Sequence, residues 1–120
     1  MSEPVYDLEE RTFEFAKKVR FFIRSLPKTI SNTEDIRQLV RSSGSVGANY
    51  IEANESLGHK DLLMRLRISR KEAKESIYWL RLICETNNLN SCQDAKILLA
   101  EAVELKKIFS AIIEKCSKLI

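Results

Sequence analysis

The sequence predicts an all-α protein: a single-domain antiparallel up-down-up-down four-helix bundle spanning residues 1–120. Three observations lead to this fold class. Apolar residues recur at alternating intervals of three and four, which is the period of one helix face. Only 3 Gly and 2 Pro occur, few for a chain with many turns. The breaks between the periodic segments are two to seven residues long, and short connections favour antiparallel neighbours.

The first helix is predicted over about residues 7–25, and the second over about residues 33–57. Pro27 ends the first helix, because the residue before a proline disfavours helical dihedrals. Ser31 or Asn32 is the predicted N-cap of the second. The core stripe of the first helix consists of Leu8, Thr12, Phe15, Val19, Phe22 and Leu26.

The second helix contains a run of small residues from Ser42 to Ala48. Taken locally, the run is typical of a linker, because each interior glycine costs about 1 kcal/mol relative to alanine. The apolar stripe nevertheless keeps its phase on both sides, so we predict a helix that another backbone approaches closely. Leucine at Gly47 should then disrupt the bundle, and alanine should be mild. The predicted stripe is Ile36, Val40, Ser43, Gly47, Tyr50, Asn54 and Leu57.

The third helix is predicted over about residues 60–85, after a break at Gly58, and the fourth over about residues 92–118, with Ser91 as N-cap. The core stripe of the third helix is Leu62, Leu66, Ser69, Ala73, Ile77, Leu80 and Cys84. The stripe of the fourth is Ala95, Leu98, Ala102, Leu105, Phe109, Ile112, Cys116 and Leu119.

Opposite its core stripe, the third helix has a second apolar face. Such a contiguous surface predicts a partner, and Trp and Tyr are residues that interfaces favour. We therefore expect a homo-oligomer, although the first or fourth helix could instead cover this face within the monomer. The predicted interface residues are Met64, Ile68, Tyr78, Trp79 and Leu82.

Between the two apolar faces runs a basic stripe of Arg67, Arg70, Lys74 and Arg81. The net charge of the chain is only +3, but residues 58–86 carry 7 basic and 4 acidic side chains. A line of cations can follow a phosphate backbone, so the stripe is a candidate site for RNA or DNA. The alternatives are a solvated helix face and a structural adaptor that recognises a protein partner.

No pattern of catalytic or metal-binding residues is found. Di-iron bundles need two Glu-x-x-His pairs, and this chain has a single histidine, His59. Glu52, Glu55, Glu72 and Glu75 could converge, but pairing with arginine is their commoner role. Phosphate-binding glycine motifs and nucleophile motifs do not occur. We expect no enzyme activity and no cofactor.

The cysteines and the hydropathy bear on location. Cys84, Cys92 and Cys116 fit no metal spacing and lie in or beside apolar runs, which favours buried free thiols in a reducing compartment. No apolar run approaches the roughly 20 residues of a membrane helix, and the first residues do not resemble a signal peptide. A cytoplasmic protein without a membrane partner is expected.

The segment from Gln38 to Ala53, QLVRSSGSVGANYIEA, resembles the signature of the four-helix bundle proteins encoded in 23S rRNA intervening sequences. The opening YDLEERTF at residues 6–13 agrees with it, as do RISRKEAKES at residues 67–76 and the following Trp79-Leu80. The resemblance covers about residues 6–85. It implies a closed bundle that assembles into a homopentamer with a central channel.

A related branch, the accessory proteins of diversity-generating retroelements, is similar in fold and binds nucleic acid and a reverse transcriptase through a basic surface. That branch is markedly more basic than this chain, which has a net charge of +3. Within the signature, several polar residues lie on a helix that should be largely covered. We expect them to form hydrogen bonds between helices, since buried polar groups are rarely unpaired. They are Arg41, Ser42, Ser45, Asn49 and Glu52.

Overall fold

A computed structural model describes residues 7–118 and confirms the all-α fold. The helices in this part of the chain are α1 (Leu8–Phe22), α2 (Ile30–Asn54), α3 (His59–Thr86) and α4 (Gln93–Ser117), with a short 3₁₀ turn, Ile23–Ser25, after α1. Consecutive helices pack against each other, and α4 returns to pack against α1. None of the described helices is long and apolar enough to span a membrane.

The first helix follows the prediction closely. Asp7 caps it, because its carboxylate accepts a hydrogen bond of 3.0 Å from the Glu10 N–H. The predicted stripe from Leu8 to Val19 is at most 3% exposed and forms part of the core. A two-pronged ion pair between Arg11 and Glu101, with distances of 2.6 and 2.8 Å, ties α1 to α4. The bundle is thereby closed along its fourth edge.

The second helix begins earlier than predicted. Thr29 is its N-cap, since the threonine hydroxyl accepts from the Asn32 N–H at 3.1 Å. The predicted caps Ser31 and Asn32 and the predicted start at residue 33 are therefore wrong. The Asn32 side chain is buried and exchanges amide hydrogen bonds of 2.9 and 2.8 Å with Asn87 at the end of α3. This asparagine joins two helices and is not available as a cap.

The predicted core stripe of α2 is displaced by about one residue. The residues that are buried are Leu39, Ser42, Ser43, Val46 and Ala53, whereas predicted stripe members Asn54 and Leu57 are exposed and the helix ends at Asn54. The stripe was misplaced because α2 packs between two neighbours. The side of α2 that holds Val40 and Gly47 faces α1. Another side packs against α3, and the buried residues of α2 lie between these two contact sides.

The small-residue run is helical, as predicted, because α2 continues without interruption through Ser42 and Ala48. The backbone that approaches it belongs to α1. A Cβ atom added at Gly47 would lie 2.8 Å from Oγ1 and 3.1 Å from Cβ of Thr12. At Gly44 the nearest atom would be Nη2 of Arg20, at 3.2 Å. A methyl group at Gly47 therefore requires a shift of Thr12, so the close approach argues against the expectation that alanine is mild there.

Gly58 precedes α3, as predicted, and is its N-cap. At the other end Asn88 adopts φ 56°, and the Leu89 N–H donates to the Cys84 carbonyl at 2.8 Å. This is the left-handed C-terminal cap that asparagine tolerates better than most residues. Ser91 is not the N-cap of α4: Cys92 occupies that position without a side-chain cap.

The α3 and α4 stripes are largely as predicted. The differences are that Leu62, Ile77 and Ile112 are only half-buried, and that Leu63, Ile83 and Ile113 are buried. Leu119 lies outside the described residues. The displacements are of one residue, which is the error expected when a helix contacts two neighbours instead of one.

Candidate nucleic-acid interface

A basic cleft lies between α3 and α4. It has a volume of about 360 Å³ and is lined by Arg67, Arg70, Lys71, Lys74 and Lys106. The α3 side chains align because positions three and four apart are neighbours on a helix surface. Lys106 of α4 completes the cleft from the opposite wall. Arg70 and Lys106 are half-buried, and the other three side chains are exposed.

The charge in the basic cleft is largely uncompensated. Lys71 Nζ lies 4.0 Å from Glu75 Oε2, at the outer limit of an ion pair. Lys71 is exposed and Glu75 is half-buried. Among the described residues, no carboxylate lies within ion-pair distance of the remaining cleft cations, Arg67, Arg70, Lys74 and Lys106. Like charges held this close raise the local positive potential and attract an anion.

Arg81 lies outside the basic cleft. Its guanidinium is 3.6 Å from Glu85, and both side chains are well exposed, at 64% and 60%. Three of the four predicted stripe residues therefore line the cleft. Lys106 was missed because periodicity within one helix does not show which residues of the next helix face it.

The apolar face of α3 is only partly free. Met64 is 46% exposed and Tyr78 is 56% exposed, whereas Ile68 and Leu82 are half-buried. Trp79 packs against the core of its own chain. Its indole N–H is buried and has no acceptor among the described residues. Trp79 therefore belongs in part to the monomer, and the freely accessible apolar atoms of this face are those of Met64 and Tyr78.

Two ion pairs join α2 to α3 through Arg41. Its Nη2 lies 2.9 Å from Glu75 Oε1 and 3.3 Å from Glu72 Oε1. Glu72 is 6% exposed, so Arg41 neutralises a carboxylate that would otherwise be buried with its charge uncompensated. Arg41 thus joins two helices, as expected from the sequence. Glu72 and Glu75 pair with this arginine, which is the role that the sequence analysis favoured for them.

Two further residues of the signature contact α3. The hydroxyls of Ser42 and Ser76 are 2.9 Å apart and fully buried, and Ser76 also donates to its own helix. The side-chain amide oxygen of Asn49, Oδ1, accepts from Arg65 Nη1 at 3.2 Å. These contacts fix the rotation of α2 against α3 in a way that apolar packing alone would not.

The other two signature residues do not join helices. The Ser45 hydroxyl donates to the Arg41 carbonyl of the same helix at 2.8 Å, and Glu52 is exposed. Among the described residues, neither side chain makes the expected hydrogen bond to another helix. Sequence reasoning also missed Ser69, which donates from α3 to the Val46 carbonyl at 2.9 Å.

The three thiols are free and differ in environment. Cys84 is buried, whereas Cys92 and Cys116 are only half-buried, so the expectation of three buried thiols holds for the first alone. Burial raises the pKa of the Cys84 thiol above 9.0, and charge at Cys92 and Glu85 acts in the same direction. Within residues 7–118, no group of three or more His, Cys, Asp or Glu side chains is arranged to hold a metal ion.

Comparison with known families agrees with the signature in α2. A profile described as 23S rRNA-intervening sequence protein matches residues 6–111. The chain belongs to this family. The resemblance seen over residues 6–85 is thus confirmed, and the match extends into α4. A search of curated protein sequences gave no significant match.

A solved structure supports the same assignment. It is a crystal structure of a protein of unknown function from the S23 ribosomal protein family of Bacteroides thetaiotaomicron. The two chains share 26% sequence identity and superpose with a TM-score of 0.76. The alignment covers 89% of this chain and 98% of the other. The chain therefore shares its helical fold with this protein over nearly the whole length of both.

Proposed function

We propose that the protein is a non-catalytic nucleic-acid-binding protein that holds a phosphate backbone, of RNA or DNA, in the basic cleft. The observation that carries the proposal is the convergence of Arg67, Arg70, Lys74 and Lys106 on one cleft with no described carboxylate in ion-pair range. Holding several cations together without acids opposes folding, and an anionic ligand relieves that repulsion.

The dimensions of the basic cleft suit a backbone. Arg67 and Lys74 are seven residues apart, so they span about 10 Å along the axis of α3. This length corresponds to about three phosphates of one strand at roughly 3.4 Å each. Arginine can engage phosphate oxygens with two parallel hydrogen bonds, and lysine adds a compact positive charge. Such contacts position a strand without reading its sequence.

The proposal is tested by binding labelled RNA and DNA oligonucleotides across a salt series. Neutralisation of about three phosphates predicts a slope of log affinity against log salt of about −2.1 for single strands and −2.7 for duplex DNA. Affinity should vary little with sequence. Protein that binds neither nucleic acid at 50 mM salt would refute the proposal and would favour the alternative, a structural adaptor for a protein partner.

We also propose that copies of the chain associate through the apolar face of α3, into a homo-oligomer that the family resemblance suggests is a pentamer. Met64 supports this, because its side chain is 46% exposed and lies on the apolar face of α3, where a contiguous apolar surface is typical of an interface. Ile68 and Leu82, both half-buried, lie beside it on the same helix. Assembly would repeat the basic cleft around a ring and multiply its affinity for a polyanion.

A further inference from the structure

Tyr78 is an exposed aromatic ring on the basic side of α3. Residues of a helix are about 100° apart around the axis, which places Tyr78 about 20° from Arg67, 40° from Lys74 and 60° from Arg81. Lys74 is four residues, or about one turn, before Tyr78, a spacing at which the Cβ atoms of two residues are about 5–6 Å apart. The ring is 56% exposed. An accessible aromatic surface thus adjoins cations of the basic cleft.

The ring is held in place from one side. Tyr78 and Trp79 form an edge-to-face pair, with ring centroids 5.0 Å apart and an interplanar angle of 82°. Trp79 itself packs against the core, so the pair is anchored to the rigid part of the bundle. In this arrangement Trp79 can cover at most one face of the tyrosine ring. The remaining face is available to a flat ligand at a small cost in side-chain entropy.

The exposed phenylalanines of α1 differ from Tyr78. Lys17 lies over the ring of Phe13 at 5.8 Å, and Arg24 lies over the ring of Phe21 at 4.7 Å. In each case a cation three or four residues further along the chain already occupies a ring face. Among the described residues, the recorded ring partner of Tyr78 is Trp79. Of these exposed rings, Tyr78 combines a free face with cations that have no carboxylate partner.

We propose that Tyr78 is a stacking platform for an unpaired base, and hence that the ligand of the basic cleft is a single-stranded segment of nucleic acid. This inference rests on the proposed function and specifies its substrate. Proteins that bind single strands pair a cationic groove with aromatic rings on which bases stack. Bases within a duplex already stack on each other and do not reach such a ring. Around the axis of α3, Tyr78 lies about 40° from Met64, on the side of the cations. Tyr78 therefore contacts the ligand in this proposal, whereas Met64 remains in the subunit interface.

The test compares Tyr78→Leu with Phe13→Leu, a control that removes a ring of equal exposure on α1, at 59%. Fluorescence anisotropy measures the affinity for a labelled 20-nucleotide RNA of mixed sequence, free and as a blunt duplex. Loss of one stacked base predicts a roughly 5- to 150-fold weaker affinity of Tyr78→Leu for the single strand. Tyr78→Phe keeps the ring and should retain the affinity. Duplex affinity and all affinities of Phe13→Leu should remain as in the unchanged protein.

The outcomes separate this inference from the proposed function. If Tyr78→Leu binds the single strand as tightly as the unchanged protein does, and likewise the duplex, the stacking role is overturned. Phosphate binding in the basic cleft would then remain intact. An equal loss for single strand and duplex, or a smaller particle mass by light scattering, would also overturn it, because Tyr78 would then act through folding or assembly. Absence of any binding by the unchanged protein would refute both proposals.

Discussion

Replacement of Gly47 by alanine tests how closely α1 and α2 pack. The added methyl carbon would lie 2.8 Å from Thr12 Oγ1, 3.1 Å from Thr12 Cβ and 3.7 Å from the Thr12 carbonyl carbon. Thr12 is 1% exposed, and its hydroxyl donates to the Leu8 carbonyl at 2.9 Å. Neither the side chain nor the backbone can therefore withdraw without moving α1.

The magnitude follows from two opposing effects. Overpacking of a core costs typically about 1–3 kcal/mol. Removal of a glycine from a helix interior favours folding by about 1 kcal/mol. Gly47→Ala should therefore lower the free energy of unfolding by about 0–2 kcal/mol. Gly44→Ala is the matched control, because its new carbon meets only the movable end of Arg20, at 3.2 Å. That variant should be more stable than the unchanged protein by up to about 1 kcal/mol, so Gly47→Ala should be less stable than Gly44→Ala by about 1–3 kcal/mol.

Urea denaturation followed by circular dichroism measures both variants. The double variant Gly47→Ala/Thr12→Ala should be less destabilised than the sum of the single variants, by about 0.5 kcal/mol or more, since the two side chains contact each other. Gly47→Ala as stable as Gly44→Ala would contradict the close approach of α1. Strictly additive effects of the two changes would show that Thr12 is not the obstacle.

Two further substitutions and one alkylation experiment test other parts of the structure. Arg41→Met should lower the free energy of unfolding, measured by urea denaturation, by about 1–3 kcal/mol, because it leaves the buried Glu72 carboxylate without its cation. A change in this free energy of less than about 0.5 kcal/mol would contradict the ion pair's role. The raised pKa of Cys84 predicts that this thiol is alkylated slowly in the native protein near pH 9, as followed on the Cys84 peptide by mass spectrometry, and rapid labelling of Cys84 itself would count against its burial. The contribution of Cys84 to stability should be complete below the pKa of an exposed thiol and lost as pH rises through the raised value. Met64→Glu should lower the particle mass in light scattering toward that of one chain while Ile97→Glu, of similar exposure, does not; an unchanged mass would place the interface elsewhere.

The periodic pattern was sufficient to predict four helices and most of the core, because α1, α3 and α4 each bury one broad apolar stripe. It was less accurate for α2, whose buried face contains Ser42, Ser43 and Ala53 beside Leu39 and Val46. Small and hydroxyl side chains carry almost no hydropathy signal. The buried Ser42 hydroxyl contacts that of Ser76 on α3, and such a contact depends on the rotation of one helix against another.

The candidate site was predicted only in part for a similar reason. Arg67, Arg70 and Lys74 share one helix, so their alignment could be inferred from spacing alone. Lys106 joins them through the pairing of α3 with α4, and that pairing has no local signal in the sequence. Arg81 has the correct spacing, but its partner Glu85 is one turn further along the same helix. The prediction took only the spacing of the cations into account and overlooked Glu85. An ion pair between residues four apart on a helix can be recognised in a sequence, so this error was avoidable.

The salt dependence of RNA binding by Arg70→Gln/Lys74→Gln tests the central claim most directly. The control, Lys28→Gln/Lys96→Gln, removes the same charge from exposed positions outside the basic cleft. Glutamine preserves helix propensity, so circular dichroism should be unchanged in both variants. Loss of two phosphate contacts predicts weaker binding at every sequence and a slope flatter by about 1.4 to 1.8 units, with little change in the control. Equal effects in the two double variants, or an unaltered slope in the first, would contradict a phosphate site between α3 and α4.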